Sequence, residues 1–549
     1  MWAAAILSAG LLELPFPIAG PMPPWRSVFA WFALVPLLWA VLSAERDGER
    51  HPLRRAFLLG YACGVLWYMG NCYWIYDTML MYGDMPPAVA LLLLIGFSLV
   101  LGLYFGIFGC GVLLVRRVTG STRLALVFTP FLWTALELAG ARITSVPWDQ
   151  LGYSQVDNGF VNQLAPWTGV YGITFLLVAF NALAAGSLIL RRRTISGPLT
   201  GISLAVIAVG ATWFDKYPPA SPTTATAVLI QPNLDVANTG YWQGPGEWNA
   251  HMVQFTQLAG EDCKSYIAGI PQTGAPVQQM ACQNTPAHPD LVVWPESPAP
   301  YFESDPRFQH SIAQIARTED APLLVNGIGS TLSPSENGWL DYVSAIAFNA
   351  HGQEIGRYDK MHLVPFGEHV PFPKLLFFAH KLTGKVSAFT PGDARRVFPL
   401  TSANGDTHRY GVFICYEAVF AGEVRQFAKL GAEVFVNLSD DGWYGDTSAP
   451  WQHLNMARMR AIENRRWLLR DTNNGVTAVI DPYGRVRQSI PRHQTDALPA
   501  RYGFRDDVTF YTSHGDLFAW LCLLLSIVVL AWSLKIEIKQ IASRTRTSN

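Results

Sequence analysis

Glu296, Lys360 and Cys415 carry between them a carboxylate, an ammonium and a thiol, and each stands at the end of an expected strand. Glu296 stands in Trp294-Pro295-Glu296-Ser297 after the run 291–294. Lys360 stands in Tyr358-Asp359-Lys360-Met361-His362, at the end of an expected hairpin. Cys415 stands in Ile414-Cys415-Tyr416-Glu417 after the run 410–414 and before a helical pattern. A thiol at a strand-to-helix junction meets the positive end of the helix dipole and its free N–H groups, which favour thiolate. The same N–H groups can hold an oxyanion formed at a bound carbonyl. A neighbouring ammonium adds positive charge to both effects. A carboxylate can take the thiol proton and later deprotonate an incoming nucleophile. The three side chains together make an acyl-transfer set that uses no metal; a strand-end cysteine alone reads as a buried small hydrophobe.

Such a set needs a scaffold that brings distant segments together. Strand-like runs occur at 227–231, 291–294 and from 323 onward. Segments 345–349 and 353–358 flank Ala350-His351-Gly352 as a hairpin. A helical pattern at 417–430 follows the strand 410–414. Segments 434–436, 467–471 and 476–480 read as strands, 450–466 as a helix, and Asp481-Pro482-Tyr483-Gly484 as a turn. The series implies two sheets, or one mixed sheet, covered by helices.

The rest of the chain is a different solvent problem. Of 549 residues, 50% are hydrophobic and 15% charged, against about a quarter charged in ordinary globular chains. The deficit lies in 1–214 and 516–535, where apolar runs alternate with short basic loops. A spanning helix needs roughly 20 apolar residues. Eight segments are expected to span: 1–18, 27–44, 56–77, 87–115, 124–140, 166–190, 198–214 and 516–535. The division is therefore a transmembrane helical domain at 1–214, a water-exposed domain at 215–515 entered through Ser221-Pro222-Thr223-Thr224, and a last helix with its tail at 516–549. Arg46, Arg50, Arg54 and Arg55, then Arg116, Arg117 and Arg123, then Arg191, Arg192 and Arg193, then Lys535, Lys539, Arg544 and Arg546 fall in every second loop. Positive loops stay inside, so the domain 215–515 is expected outside the cytoplasm. A net charge of −1, with no basic aromatic patch, argues against nucleic acid as a partner.

Seven cysteines are present; Cys63, Cys72, Cys110 and Cys522 fall in expected spans. Cys263 and Cys282 flank a Gly/Pro/Gln-rich loop and are expected to form a disulfide in an oxidising compartment, leaving Cys415 free. Glu137 is expected to pair with Arg142, Trp148 and Tyr153 to anchor at the membrane interface, and Arg465 and Arg466 to lie on a solvated helix face. The run 372–378 reads as core or as a lipid-facing lid, and Trp443 and Tyr444 as lid or pocket wall. His362 and His453 raise a Cys-His protease reading, ranked well below the Glu-Lys-Cys set. No cluster has zinc-ligand spacing.

The strings WPES (294–297), YDKMHLVPFGEHVPF (358–372), ICYE (414–417) and NLSDDGWYG (437–445) resemble the nitrilase superfamily with its Glu-Lys-Cys triad. The strings PWQHLNMARMRAIENRRWLLRDTNNGVTAVIDPYG (450–484) and PWDQLGYSQ (147–155), set in this membrane frame, resemble its apolipoprotein N-acyltransferase branch. The resemblance implies an α-helical membrane domain of about eight transmembrane helices joined to an α/β nitrilase-like domain, an α-β-β-α sandwich. It implies a bacterial inner-membrane enzyme whose catalytic domain is periplasmic. Cys415 would take a fatty acyl group from a phospholipid donor as a thioester, and pass it to the α-amino group of a diacylglyceryl-modified prolipoprotein. Glu296 would be the base, with Lys360 and the N–H of Tyr416 stabilising the oxyanions. Glu368, Tyr416, Glu417 and Trp443 match supporting or substrate-binding positions, and no cofactor or metal is implied. Two departures stand out: Val343-Ser344-Ala345 replaces the superfamily's Tyr-Asn-Ser/Thr, and the family aspartate before Trp443 falls at Asp440 or Asp441. Competing readings are a membrane-anchored amidase, with water as acceptor, and a non-catalytic scaffold or transporter.

Overall fold

The computed structural model describes residues 1–45, 50–190, 196–236, 245–260, 289–296, 301–333, 338–365, 367–369, 389–402 and 405–547. Cys263, Cys282 and the run 372–378, and with them the expected disulfide and lid, lie outside the described residues.

Among the described residues, six helical segments are long and apolar enough to cross a membrane: Pro24–Leu42, Pro87–Thr119, Thr122–Ile143, Val170–Ile189, Gly197–Lys216 and Leu517–Ser543. The other two expected segments hold the helices Trp2–Glu13 and Pro52–Asn71. At 12 residues, the first rises only about 18 Å, well short of the roughly 30 Å of hydrocarbon. Pro24–Leu42 is interrupted: a 3-10 turn at Pro24–Trp31 gives way to an α-helix at Val35–Leu42. Close backbone approach needs glycine between Pro52–Asn71 and Pro87–Thr119, where a Cβ at Gly60 would stand 2.2 Å from the Phe105 carbonyl oxygen.

Among the described residues, twelve strands form two six-stranded sheets. Sheet one uses β1 (Ala225–Gln231), β2 (Leu291–Val293), β3 (Leu323–Ser333), β4 (Gly338–Phe348) and β5 (Glu354–Asp359). Sheet two uses β6 (Val397–Thr401), β7 (Thr407–Ile414), β8 (Val434–Ser439), β9 (Trp467–Thr472), β10 (Thr477–Ile480) and β11 (Val486–Ile490). The last strand, β12 (Asp496–Tyr502), returns to the edge of sheet one beside β1. The orders are β12-β1-β2-β3-β4-β5 and β11-β10-β9-β8-β7-β6. β1-β2-β3 and β7-β8-β9 run parallel, flanked by antiparallel neighbours. Both sheets thus repeat one pattern.

Alternation along the strands builds the layers. Leu229, Val293 and Ala345 face sheet two across a core with Val412, Val436 and Leu469. Ile230, Val292 and Ile346 point the other way, against Phe255 and Phe308 of helices Pro245–Ala259 and Pro306–Glu319. Full burial of such a side chain is worth about 1.5–3 kcal/mol. Helices Ala421–Lys429 and Ala449–Asn464 cover sheet two. The second does not end at solvent: Met456, Met459 and Ile462 join the same apolar cluster as the membrane helices.

Candidate active site

The carboxyl ends of parallel strands in an α/β sheet are where ligands commonly bind. Glu296 follows β2, Cys415 follows β7 and Asp440 follows β8, while Lys360 follows β5. All four meet. Lys360, with no exposed surface, places Nζ 3.0 Å from Glu296 Oε1 and 2.6 Å from Glu368 Oε1. Cys415 stands at hydrogen-bond reach of the Glu296 carboxyl. The other Glu296 oxygen accepts the Asp440 backbone N–H at 3.0 Å. Glu368 is held in turn by the Val364 N–H at 2.7 Å. Among the described residues no group of three or more His, Cys, Asp or Glu side chains is set to hold a metal ion.

Electrostatics assign protons. Burial opposes the Lys360 ammonium, but Glu296 and Glu368 outweigh it and hold its pKa well above the ordinary value. Burial raises the Glu296 carboxyl; Lys360 pulls it down and Glu368 adds to the rise. Burial, and then Glu296, push the Cys415 thiol well above its ordinary value against the pull of Lys360. The expected helix-dipole preference for thiolate is therefore overturned. Cys415 opens only a single 3-10 turn, Cys415–Val419, and the α-helix starts later, at Ala421. So short a turn carries little dipole, and burial wins. Cys415 thus favours the thiol form beside the Glu296 carboxyl.

Cys415 itself is bent. Its φ of +47° is a left-handed conformation that costs a residue with a Cβ about 1–2 kcal/mol. Glu417, two residues on, locks this elbow to the lysine loop. Its buried carboxylate accepts the N–H groups of Ile414 (2.8 Å), Met361 (2.7 Å) and His362 (3.2 Å), and the Tyr358 hydroxyl (2.8 Å). Tyr416 is half-buried and donates its hydroxyl to the Ser145 carbonyl at 3.2 Å. Trp443 is not drawn into the Lys360 cluster. It is 40% exposed, edge-on to Tyr82, and its carbonyl accepts the Thr78 hydroxyl.

Other expectations change. Glu137 does not pair with Arg142: it accepts from Trp133, Leu151 and Thr174 at 2.9 Å each, and Arg142 pairs with Asp516. Trp148 and Tyr153 are not interface anchors but are buried between the membrane helices and Ala449–Asn464, bonded to Gln452 and Arg460. Arg466 is fully buried, donating to the carbonyls of Ala432, Asn464 and Asp507, and Arg465 lies over the Tyr483 ring. Of the two aspartates, Asp440 takes the strand-end turn, and Asp441 is buried against Arg470 and His453. The Asp441–Arg470 pair leaves no trace in the sequence pattern, because a buried ion pair has no periodicity.

Residues 8–183 match the family model described as apolipoprotein N-acyltransferase N-terminal domain, and residues 253–498 match carbon-nitrogen hydrolase. A relative from Geobacter metallireducens called apolipoprotein N-acyltransferase is 33% identical over 536 residues, covering 96% of this chain and 94% of its own. Another of that name, from Chlorobaculum tepidum, is 29% identical, covering 94% and 93%. A solved amidase from Nesterenkonia sp. aligns at 17% identity and a TM-score of 0.34, over 53% of this chain and 93% of that one. Identity carried through membrane helices and α/β domain alike shows that this chain belongs to the apolipoprotein N-acyltransferase family.

Proposed function

We propose that this protein transfers a fatty acyl group from a membrane phospholipid, through a thioester on Cys415, to the α-amino group of diacylglyceryl-modified prolipoproteins. The observation that carries the reading is the buried convergence of Glu296, Lys360 and Cys415. Glu296 takes the Sγ proton as sulfur attacks the ester carbonyl. The tetrahedral oxyanion forms against Lys360 Nζ and the Tyr416 N–H. Collapse breaks the ester C–O bond, and the lysophospholipid leaves with the proton from Glu296. The acceptor amine then attacks the thioester carbonyl, giving its proton to Glu296. C–S cleavage returns that proton to sulfur and releases the amide.

Glu368 supports the charge and place of Lys360, and Glu417 supports the elbow. Trp443 forms part of the wall toward the membrane segment carrying Tyr82. The division at 1–214, 215–515 and 516–549 fits this chemistry: a lipid donor enters from the bilayer, and alternating basic loops favour a periplasmic catalytic domain in the inner membrane.

Mass spectrometry tests the reading, on lipid-embedded protein incubated with phospholipid before and after a diacylglyceryl-cysteine peptide is added. Wild type should gain one fatty-acyl mass and lose it to the peptide amine, and Cys415→Ala should gain none. Loss to water despite peptide would make the protein an amidase-like hydrolase. Folded wild type that never gains the mass would remove the acyl-enzyme.

A further inference from the structure

Beneath the nucleophile lies a buried polar group that the chemistry above does not use. His453 has no exposed surface. Its Nε2 is 3.0 Å from the Cys415 carbonyl oxygen, and its Nδ1 is 3.0 Å from Asp441 Oδ1 and 3.2 Å from Arg470 Nη2. Arg470 donates to both Asp441 oxygens, at 2.9 and 2.7 Å. A carbonyl oxygen only accepts, so Nε2 must carry a proton. With Nε2 protonated, Nδ1 accepts from Arg470 in the neutral ring or donates to Asp441 in the charged one, and either form keeps the bond to the Cys415 carbonyl.

The ring is held from the membrane side as well. Trp148, on the loop between two membrane helices, stacks on it at 6.1 Å and 21°. The Trp148 indole N–H donates to Gln452 Oε1 at 2.8 Å. Gln452 Nε2 reaches the Asn71 carbonyl at 3.0 Å, and Asn71 donates to Asp149 at 3.0 Å. A continuous set of contacts thus runs from the bundle to the carbonyl of the nucleophile.

We infer that His453 is a positioning residue for Cys415 and for the oxyanion donor beside it, held in place by Trp148 of the membrane loop. The inference rests on the acyl-enzyme reading. Its physical basis is the peptide group between Cys415 and Tyr416, which is planar, with C=O and N–H on opposite sides. Fixing the oxygen therefore fixes the direction of the Tyr416 N–H. The left-handed φ of Cys415 persists only where its surroundings over-determine it, and His453 supplies one such constraint.

The test is the single-turnover rate of Cys415 acylation by phospholipid vesicles, read by intact-protein mass, together with the lipid half-saturation and thermal midpoint. Glutamine can place an amide N–H near the Nε2 position; asparagine and phenylalanine cannot. His453→Gln should stay within about 3-fold of wild type, whereas His453→Asn and His453→Phe should fall about 10- to 100-fold at unchanged half-saturation. Trp148→Leu should slow the same step by about 10-fold. Folded Asn and Phe variants acylating at the wild-type rate would overturn the inference. So would a Gln variant as slow as Phe with an equal loss of midpoint, which would make the ring mere packing. A wild-type rate in Trp148→Leu would remove the membrane loop's part. Wild type without any acyl mass would remove the acyl-enzyme and this inference together, an outcome distinct from the others.

Discussion

Lys360 sits between two carboxylates, and that arithmetic decides the proton positions. One ammonium facing Glu296 and Glu368 stays charged despite burial, while burial, and with it Glu368, raises the Glu296 carboxyl against the pull of Lys360. In the proposed mechanism Glu296 must be unprotonated to accept the thiol proton, so its raised pKa would set the acid limb of acylation above the ordinary carboxylate value of about 4.3. Glu368→Gln removes a negative charge that raises Glu296. The acid limb of the single-turnover pH–rate profile should therefore move to lower pH; an unmoved limb would mean that Glu296 is not the titrating base. Glu417 is a different case, since it accepts three backbone N–H groups and a hydroxyl without touching the reacting atoms. Glu417→Gln turns an NH2 toward donors, leaving buried N–H groups unpaired at about 1–3 kcal/mol. Its thermal midpoint should fall, and acylation should slow as the elbow loosens from the lysine loop.

The elements show what could be read beforehand and what could not. The ends of β2 and β7 were legible because each is an apolar run that stops at a polar, chemistry-bearing residue, and the end of β5 because the hairpin around Ala350-His351-Gly352 leads straight into Lys360. β6, β11 and β12 were not: Val397–Thr401 and Asp496–Tyr502 contain Pro399 and Pro499, and Val486–Ile490 is mostly polar. Proline in an edge strand speaks against a strand from sequence alone, although it is tolerated there. Ala449–Asn464 hid its surroundings in the same way. It is buried on nearly every face, yet carries Gln452, His453, Arg458, Arg460 and Glu463, so its polar residues imitate a solvated stripe. Arg466, just past its end, donates to the carbonyls of Ala432, Asn464, Arg465 and Asp507. Arg466→Met should cost about 2–3 kcal/mol through those unpaired acceptors. Chemical denaturation would measure it. The acylation rate of the folded variant should match wild type, because no bond of Arg466 reaches Glu296, Lys360 or Cys415.

At the scale of the whole molecule, the membrane helices are more than an anchor for a soluble catalyst. One apolar cluster holds bundle residues such as Leu151 and Ile173 together with Val419, Tyr444, Met456, Met459 and Ile462 of the α/β domain. Polar contacts cross the same boundary: Glu463 accepts the Val170 N–H, Arg460 donates to the Tyr153 hydroxyl, and Arg458 pairs with Asp157. Cutting the chain at 216 and 515 would expose the apolar cluster as one patch and strip partners from buried charges. An exposed patch of that kind drives aggregation, and a buried charge that loses its partner costs about 3–5 kcal/mol. The fragment 216–515 should therefore collect in the insoluble fraction or bind a hydrophobic dye strongly. Any soluble portion should leave Cys415 unacylated by a short-chain ester that acylates the full-length protein, a control that removes the need for a bilayer to deliver substrate. A soluble, monomeric fragment acylated at the full-length rate would reduce the bundle to a tether. Failure with the short ester would locate the membrane's contribution in the alignment of the nucleophile as well as in the supply of lipid.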